Sequence, residues 1–251
     1  DDPKRMESQD PLRSQVDKLR EKKLTPQEES STPDARTVKG ARNLRLVVFD
    51  VEGIVIPKQS YILRVIGLLN IPQKLKVLFD GLLYEVGIRP LKSTLERIYT
   101  RFRGVSLNDF TESFTGVSFI PEVKEVVRQL KERHVTTALI SSGIPSFLLE
   151  ELAQKLNVDY VIGPELKVID DKLTGTISGD VIEKDGKAMA LTSLLETTGI
   201  QIEDCAVVAD DRNNLPMFKP EVTKIGFHPD FILTTHCDYV VRGNLTGILL
   251  I

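Results

Sequence analysis

The sequence has few of the residues that mark secreted, metal-chelating or nucleic-acid-binding proteins. Only two cysteines and three histidines occur in 251 residues, and the net charge is −3. Two cysteines in or near apolar runs are typical of reduced core residues, not of a disulfide framework. The histidines show no ligand spacing, and a nearly neutral chain offers no basic surface for nucleic acid. These features predict a cytoplasmic protein without a nucleic-acid partner.

Long apolar runs are also missing, since no stretch reaches the roughly 18 residues that a membrane-spanning helix needs. The chain is long enough for one substantial domain and a smaller one. It begins without Met and stops in an apolar run at residues 248–251, which suggests a fragment of a longer protein. We expect a membrane association only in that case. The sequence predicts no oligomeric state.

The most informative segment is LVVFDVEGI, at residues 46–54. Leu46 to Phe49 form a short continuous apolar run, which is typical of a strand covered on both faces. The run ends at Asp50, and a second carboxylate, Glu52, follows two residues later. Two such carboxylates repel each other unless a cation or a reaction uses them. A surface turn with two acids is the alternative that this segment leaves open.

Two further apolar runs end in polar clusters. They are TTALISSG, at residues 136–143, and CAVVADD, at residues 205–211. Their terminal polar residues are Ser141, Ser142, Gly143, Asp210 and Asp211. Hydroxyl and backbone N–H groups at a strand-to-helix turn can bind a phosphate, although they are also common helix caps. Because active sites of open α/β sheets lie at the carboxyl ends of strands, we expect these clusters to meet.

In this order, the motifs resemble those of the haloacid dehalogenase superfamily of phosphotransferases, and most of all its phosphoserine phosphatase branch. FDVEG is similar to the first motif, LISSG to the second and VADDRNNLPMF to the fourth. Lys187, in EKDGKAMAL, lies where the family has its third-motif lysine, with Lys184 as the alternative. The resemblance covers residues 46–251. It implies an α/β fold, with a three-layer Rossmann-like parallel sheet core and a small helical cap inserted after the first strand.

Composition and periodicity divide the chain into three parts. Residues 1–42 are polar and interrupted by Pro and Ser, which is typical of a disordered tail or linker. Residues 57–118 are too long for a simple connection and contain helical patterns at 61–69, 72–86 and 91–102. By resemblance they form the cap, and residues 43–56 and 119–251 form the catalytic core.

The resemblance implies a Mg²⁺-dependent phosphomonoester hydrolase that acts on a small phosphorylated metabolite through an aspartyl-phosphate intermediate. Asp50 is the implied nucleophile and Glu52 the implied acid/base catalyst, with Lys187 as the third catalytic residue. The implied substrate-binding residues are Ser141, Ser142, Gly143 and Arg97. The implied metal ligands are Asp50, the backbone carbonyl of Glu52 and Asp210. The residues that the resemblance implies for holding metal-bound water are Asp211, Asn213 and Asn214.

Some positions depart from the phosphoserine phosphatase pattern. Glu52 and Asn214 both stand where that branch has Asp. The three positions with which the branch recognises serine fall on Gln59, near Pro90 and near Arg97, so that only the arginine is kept. These departures leave alternatives open. They are a phosphotransferase or enolase-phosphatase-type enzyme and a catalytically altered domain with a binding or regulatory role. The apolar run at residues 248–251 leaves open a further alternative, membership of a longer membrane-linked protein.

Overall fold

A six-stranded parallel sheet forms the centre of the computed structural model, which describes residues 43–251. The tail or linker predicted for residues 1–42 lies outside the described residues. The strands are β1 (Leu46–Asp50), β2 (Thr136–Ile140), β3 (Tyr160–Ile162), β4 (Glu165–Ile169), β5 (Lys172–Ser178), β6 (Cys205–Ala209), β7 (Thr223–Phe227) and β8 (Tyr239–Val241). The order of strands in the sheet is β3-β2-β1-β6-β7-β8. Strands β4 and β5 pair separately as an antiparallel hairpin. The predicted parallel sheet is confirmed.

The order of the strands brings the three polar clusters to one edge. Strand β1 lies between β2 and β6, and every residue of β1 and β6 is buried. Asp50 pairs in register with Ile140, and Phe49 with Val208. The residues that follow β2 and β6 therefore lie beside Asp50. From β1 the chain continues to β2 and β3 on one side of the sheet, and it later returns to β6 on the opposite side of β1. Such a reversal of strand order opens a crevice at the carboxyl edge.

Helices flank the sheet, as the α/β fold class predicts. They are α5 (Val123–Glu132), α6 (Ser146–Leu156), α7 (Gly186–Thr198) and the short α8 (Phe231–Thr234). Helix α5 shows why they form, since Val123, Val126, Val127 and Leu130 recur at helical spacing and are all buried. Residues 66–68, 180–182, 202–204, 212–217 and 245–250 form 3₁₀ turns. None of the helices in residues 43–251 has the length and apolar character that crossing a bilayer requires.

Residues 57–118, here called the helical insert, contain four more helices. These are α1 (Ser60–Val65), α2 (Ile71–Glu85), α3 (Leu91–Thr100) and α4 (Leu107–Phe114). Aromatic edge-to-face pairs hold them together, with ring centroids 5.4 Å apart for Phe102 and Phe110 and 5.7 Å apart for Tyr61 and Phe114. Helix α4 was not among the predicted helical patterns. It has only eight residues, and it begins where the Ser106 hydroxyl accepts a hydrogen bond from the Asp109 backbone N–H.

A buried carboxylate with three arginines joins helices α2 and α3. Asp80 is almost fully buried, and its carboxylate pairs with Arg89, with Arg97 Nε at 3.1 Å and with Arg101 Nη2 at 2.6 Å. Burial opposes ionisation of Asp80. The hydrogen bonds and positive charges of the arginines outweigh this effect and hold the pKa of the carboxyl below its ordinary value. The ionised carboxylate therefore stabilises the helical insert.

Replacement of Asp80 by Asn is expected to lower the free energy of unfolding by about 2 kcal/mol at neutral pH, because hydrogen bonds to a charged group are lost. The pKa of Asp80 is depressed in the folded state. The greater stability of the native chain over the Asn variant should therefore be complete above about pH 4 and disappear as the pH falls further. Urea unfolding at several pH values measures the difference. Glu96→Gln, an equivalent change at an exposed position of α3, is the control. Equal effects of the two changes at neutral pH would contradict this role of Asp80.

Candidate active site

Asp50 is held by groups from three segments of the chain. Its Oδ1 accepts hydrogen bonds from Lys187 Nζ at 2.8 Å and from the Val51 backbone N–H at 2.9 Å. Its Oδ2 accepts one from Asn214 Nδ2 at 2.7 Å. Lys187 also donates to Asn214 Oδ1 at 2.7 Å, which closes a buried triangle of side chains. These contacts orient the carboxylate and compensate part of its negative charge.

The position of Lys187 depends on how helix α7 begins. The preceding residue, Gly186, packs against the 180–182 turn, and a Cβ there would lie 2.7 Å from the Val181 carbonyl carbon. Only glycine permits such a close approach. This packing places Lys187 in the first turn of α7, where the Lys187 side chain reaches Asp50. Lys184, the alternative in the sequence, is exposed. The structure therefore brings Lys187, and not Lys184, to the site.

Glu52 lies on the tight turn that follows β1. Its Oε1 accepts a hydrogen bond from the Tyr61 backbone N–H at 3.3 Å. Burial, opposed by this hydrogen bond and reinforced by the charges of Asp50 and Asp210, raises the pKa of Glu52 to about 7. Gly53 makes the turn possible because it adopts a φ of 89°, which other residues rarely do. Its backbone also lies so close to the Asp210 carboxylate that a side chain at this position would not fit.

The residues after β2 present hydroxyl and N–H groups to the same edge. Ser141 Oγ accepts hydrogen bonds from the backbone N–H groups of Gly143 and Ile144, at 3.2 and 3.1 Å. Ser142 Oγ donates to the Val181 carbonyl oxygen at 2.9 Å. Ser141, Ser142 and Gly143 all line a cavity that also reaches Asp50. The second polar cluster therefore lies where the sequence predicted it.

Asp210 and Asp211 complete the carboxylate cluster. One carboxylate oxygen from each of Asp50, Asp210 and Asp211 can be chosen so that all three lie within 4.8 Å of one another. Lys58 Nζ lies 3.0 Å from both Asp210 Oδ2 and Asp211 Oδ2. Burial, followed by the charges of Asp50 and Asp211, raises the pKa of Asp210 to about 7. Crowded carboxylates of this kind have a strong preference for a cation.

The donor set of this cluster fits Mg²⁺. Asp210 Oδ1 is buried and has no hydrogen-bond partner within residues 43–251, so it is an acceptor oxygen available to a cation. Its neighbours are carboxylate oxygens, and oxygen ligands are those that Mg²⁺ prefers. Asp211 belongs to this cluster directly, whereas the family resemblance implied for it only a role in holding metal-bound water. Asn214 bonds to Asp50 and Asp211, and Asn213 bonds to Asp211.

A cavity of about 440 Å³ lies between the carboxyl edge of the sheet and the helical insert. Two tyrosines of the insert reach across it. Tyr84 donates a hydrogen bond to Asn213 Oδ1 at 2.7 Å, and Tyr99 donates one to the Gly143 carbonyl oxygen at 2.5 Å. The insert therefore covers the site through direct contacts with residues of the sheet edge.

Arg97 does not lie in this cavity, because its side chain pairs with Asp80 and is about half exposed. Conversely, Lys58, Tyr84 and Tyr99 line the cavity, although the sequence motifs did not predict them as site residues. Lys58 follows the first motif closely in the sequence. A cationic residue so soon after the Asp50 motif is a signal from which its place in the site could have been predicted. The tyrosines give no such signal, since they reach the site only through the packing of the insert.

A parallel α/β sheet with a lysine and three carboxylates at its carboxyl edge places the chain in the class of Rossmann-like α/β proteins. The chain belongs to the haloacid dehalogenase-like hydrolase family, whose model matches residues 47–219.

Curated relatives of the chain are phosphoserine phosphatases. That of Archaeoglobus fulgidus is 26% identical over 210 residues, which are 82% of this chain and 59% of the relative. That of Methanocaldococcus jannaschii is 32% identical over 127 residues, which are 50% of this chain and 60% of the relative. The matched regions thus span about six tenths of the length of these relatives.

Solved structures share the fold. A substrate-bound phosphoserine phosphatase complex matches with a TM-score of 0.73 at 22% identity, over 84% of this chain and 99% of the other. A phospho-aspartyl intermediate analogue of phosphoserine phosphatase matches with a TM-score of 0.71 at 24% identity, over 83% and 98%. At these identities the likeness establishes the fold alone.

Proposed function

We propose that this chain is a Mg²⁺-dependent phosphatase that hydrolyses small phosphomonoesters through an aspartyl-phosphate on Asp50. The observation that carries the proposal is the buried Asp50 carboxylate, which is held by Lys187 and Asn214 beside two further carboxylates. Family membership supports the same reaction class, as do relatives that are phosphoserine phosphatases. Phosphoryl transfer depends on this kind of positioning and charge compensation.

In the first step, a carboxylate oxygen of Asp50 attacks phosphorus and forms an acyl phosphate, and the bond from phosphorus to the ester oxygen breaks. The departing alkoxide takes a proton from Glu52, which burial keeps partly protonated near neutral pH. In the second step, water attacks the same phosphorus and gives a proton to Glu52. The bond between Asp50 and phosphorus then breaks, which releases phosphate and restores the carboxylate.

The phosphoryl group is bound by residues at the ends of β2 and α7. Ser141 and Gly143 line the cavity, and Lys187 lies with its ammonium group 2.8 Å from Asp50 Oδ1. These groups compensate the negative charge that gathers when a carboxylate approaches a phosphate. Because Lys187 and Asn214 are already bonded to each other and to Asp50, little reorganisation is needed.

Mg²⁺ would be held by Asp50 and Asp210, with the backbone carbonyl of Glu52 as a further ligand and with Asp211, Asn213 and Asn214 around it. When bound, the cation supplies electrostatic stabilisation of the phosphoryl oxygens and permits two carboxylates to lie close together. Lys58, which bridges Asp210 and Asp211, supplies positive charge at the edge of the same cluster.

We also propose that the helical insert works as a cap that excludes water during transfer. Residues of α1, α2 and α3 line the cavity, and Tyr84 and Tyr99 bond across it. Exclusion of bulk water strengthens the electrostatic interactions of the buried carboxylates and lysine.

The test is phosphate release from a generic aryl phosphate, with and without Mg²⁺. We expect release that requires Mg²⁺, and, after rapid acid quenching, the mass of one phosphoryl group added to the peptide that contains Asp50. If folded protein with Mg²⁺ gives neither phosphate nor the modified peptide, the proposal is wrong.

Glu52→Gln is expected to lower kcat for the aryl phosphate by on the order of 10²- to 10⁴-fold, because the amide can neither give nor take the proton. The phosphorylated peptide should still form with a good leaving group and should persist longer than in the native chain. Glu203→Gln, at an exposed position remote from the cavity, is the control. Normal turnover by the Glu52 variant would exclude an acid/base role for this side chain.

A further inference from the structure

We propose that the substrate of this site is a phosphate monoester of an apolar alcohol, with an alkyl-type chain that lies between helices α2 and α3. This inference rests on the proposed function and specifies the organic group of the substrate. It follows from the residues of the insert that face Asp50, which form an apolar wall and not a polar one.

The wall of the cavity opposite Asp50 consists of aliphatic side chains. Helices α2 and α3 contribute Val77, Leu78, Leu82, Leu91, Leu95 and Ile98. Such a surface gains free energy from the removal of apolar groups from water, and it offers no hydrogen bond to a polar substituent. The end of the cavity near Asp50 is polar, and the remainder is apolar.

The tyrosine and threonine hydroxyls on this side of the cavity already have partners within the protein. The hydroxyls of Tyr61 and Tyr99 are 2.6 Å apart, and Tyr99 donates to Gly143. Thr94 Oγ1 donates to the Pro90 carbonyl oxygen, and the Tyr84 hydroxyl donates to Asn213. These side chains therefore present their carbon atoms, and not free donors or acceptors, to a bound molecule.

Within residues 57–118, the insert presents no buried, unpaired cation to the cavity that would bind the α-carboxylate of an amino acid. Of the described residues in the insert, only Lys58 and Glu85 are charged and line the cavity, and both are exposed. Lys58 is paired with Asp210 and Asp211, and Arg97 is paired with Asp80 outside the cavity. An α-carboxylate placed against this wall would lose its water without gaining a cation, which is unfavourable.

The apolar wall continues onto the surface of the protein. Leu78 and Leu82 line the cavity and are also 49% and 57% exposed, so they lie at its mouth. Beyond them, Ile71, Leu75 and Phe79 of α2 are exposed at helical spacing on the same helix. A continuous exposed apolar stripe is unusual on a protein surface and marks a site of interaction. Here it adjoins Leu78 and Leu82 on the same helix, so a long chain that leaves the cavity has an apolar surface beside it.

The test measures hydrolysis of a series of linear alkyl phosphates, from methyl to octyl, each kept below the concentration at which it aggregates. O-Phosphoserine is the polar substrate for comparison. With Mg²⁺, kcat/KM should rise by about fourfold for each methylene that becomes buried, until the cavity is filled. O-Phosphoserine should be hydrolysed no faster than methyl phosphate. Phosphatidic acid in phosphatidylcholine vesicles is the second arm. Hydrolysis there would identify a lipid of a membrane as the source of the chain, and hydrolysis confined to dispersed esters would identify a soluble one.

The paired variant Leu78→Gln/Leu82→Gln should reduce the ratio of octyl to methyl phosphate kcat/KM by about tenfold or more. Both side chains are about half exposed, so the variant should fold. Met189→Gln on α7 is also half exposed but lies outside the cavity, and it should leave the ratio unchanged.

Two outcomes would overturn the inference while leaving the phosphatase proposal in place. They are hydrolysis of short phosphates without dependence on chain length, and a clear preference for O-phosphoserine. Failure to hydrolyse any phosphate, the aryl phosphate included, would instead overturn the proposed function and this inference with it.

Discussion

Asp50→Asn is expected to reduce Mg²⁺-dependent phosphate release by on the order of 10⁴-fold or more, since removal of a nucleophile abolishes the covalent route. The amide has nearly the shape of the carboxylate, but it is a poor nucleophile and carries no charge. It would also place an N–H group where Asp50 accepts hydrogen bonds from Lys187 and Asn214. The measurement is single-turnover release of phosphate, together with detection of the phosphorylated peptide.

Asp170→Asn is the matched control for this experiment. Asp170 lies at the exposed turn between β4 and β5, in a left-handed conformation that Asn tolerates well. Circular dichroism and thermal unfolding should show that both variants are folded. An Asp50 variant that is folded and retains most of its activity would show that the carboxylate is not the nucleophile.

Gly53→Ala is expected to lower activity by at least about 100-fold, the order of loss that a displacement near 1 Å produces. A Cβ at Gly53 would lie 2.5 Å from Cγ of Asp210, so the Asp210 carboxylate must move out of its present position in the carboxylate cluster. The φ of 89° adds roughly 1 to 2 kcal/mol of backbone strain. Mg²⁺ titrations of activity should show that half-maximal rates require more Mg²⁺ than in the native chain.

Gly104→Ala separates the two causes. Gly104 has a nearly identical φ of 85°, but a Cβ there would meet no atom within 4 Å. It should therefore lose a similar free energy of unfolding and keep its activity and its Mg²⁺ dependence. If both variants lose activity equally, backbone strain, and not displacement of Asp210, is responsible for the effect at Gly53.

Both experiments concern a site in which each carboxylate depends on the others. Asp50 bonds to Lys187 and Asn214, Asp210 approaches the Gly53 backbone, and Asp211 shares Lys58 with Asp210. A change at one position is therefore transmitted to the charges and positions of the rest. Effects of combined variants in this cluster should not be additive.

Local pattern was sufficient for much of the architecture. The buried runs that end at Asp50, Ser141 and Asp210 are strands in the structure, with bounds within one residue of those expected from apolar runs. A buried strand needs a continuous apolar segment, and parallel strands share one carboxyl edge, so strand ends predict which polar residues meet. Helix α4 was missed because an eight-residue helix gives little periodic signal.

The sequence by itself determined the parallel α/β core, the family resemblance and the residues at the strand ends, because these depend on short-range pattern and on motifs in a fixed order. Only the tertiary structure decided that Lys187 and not Lys184 reaches Asp50, that Arg97 turns to Asp80, and that aliphatic side chains of α2 and α3 face the site. Those outcomes depend on how helices pack across the sheet edge. Packing brings together residues far apart in the chain, and no local spacing specifies which of them meet.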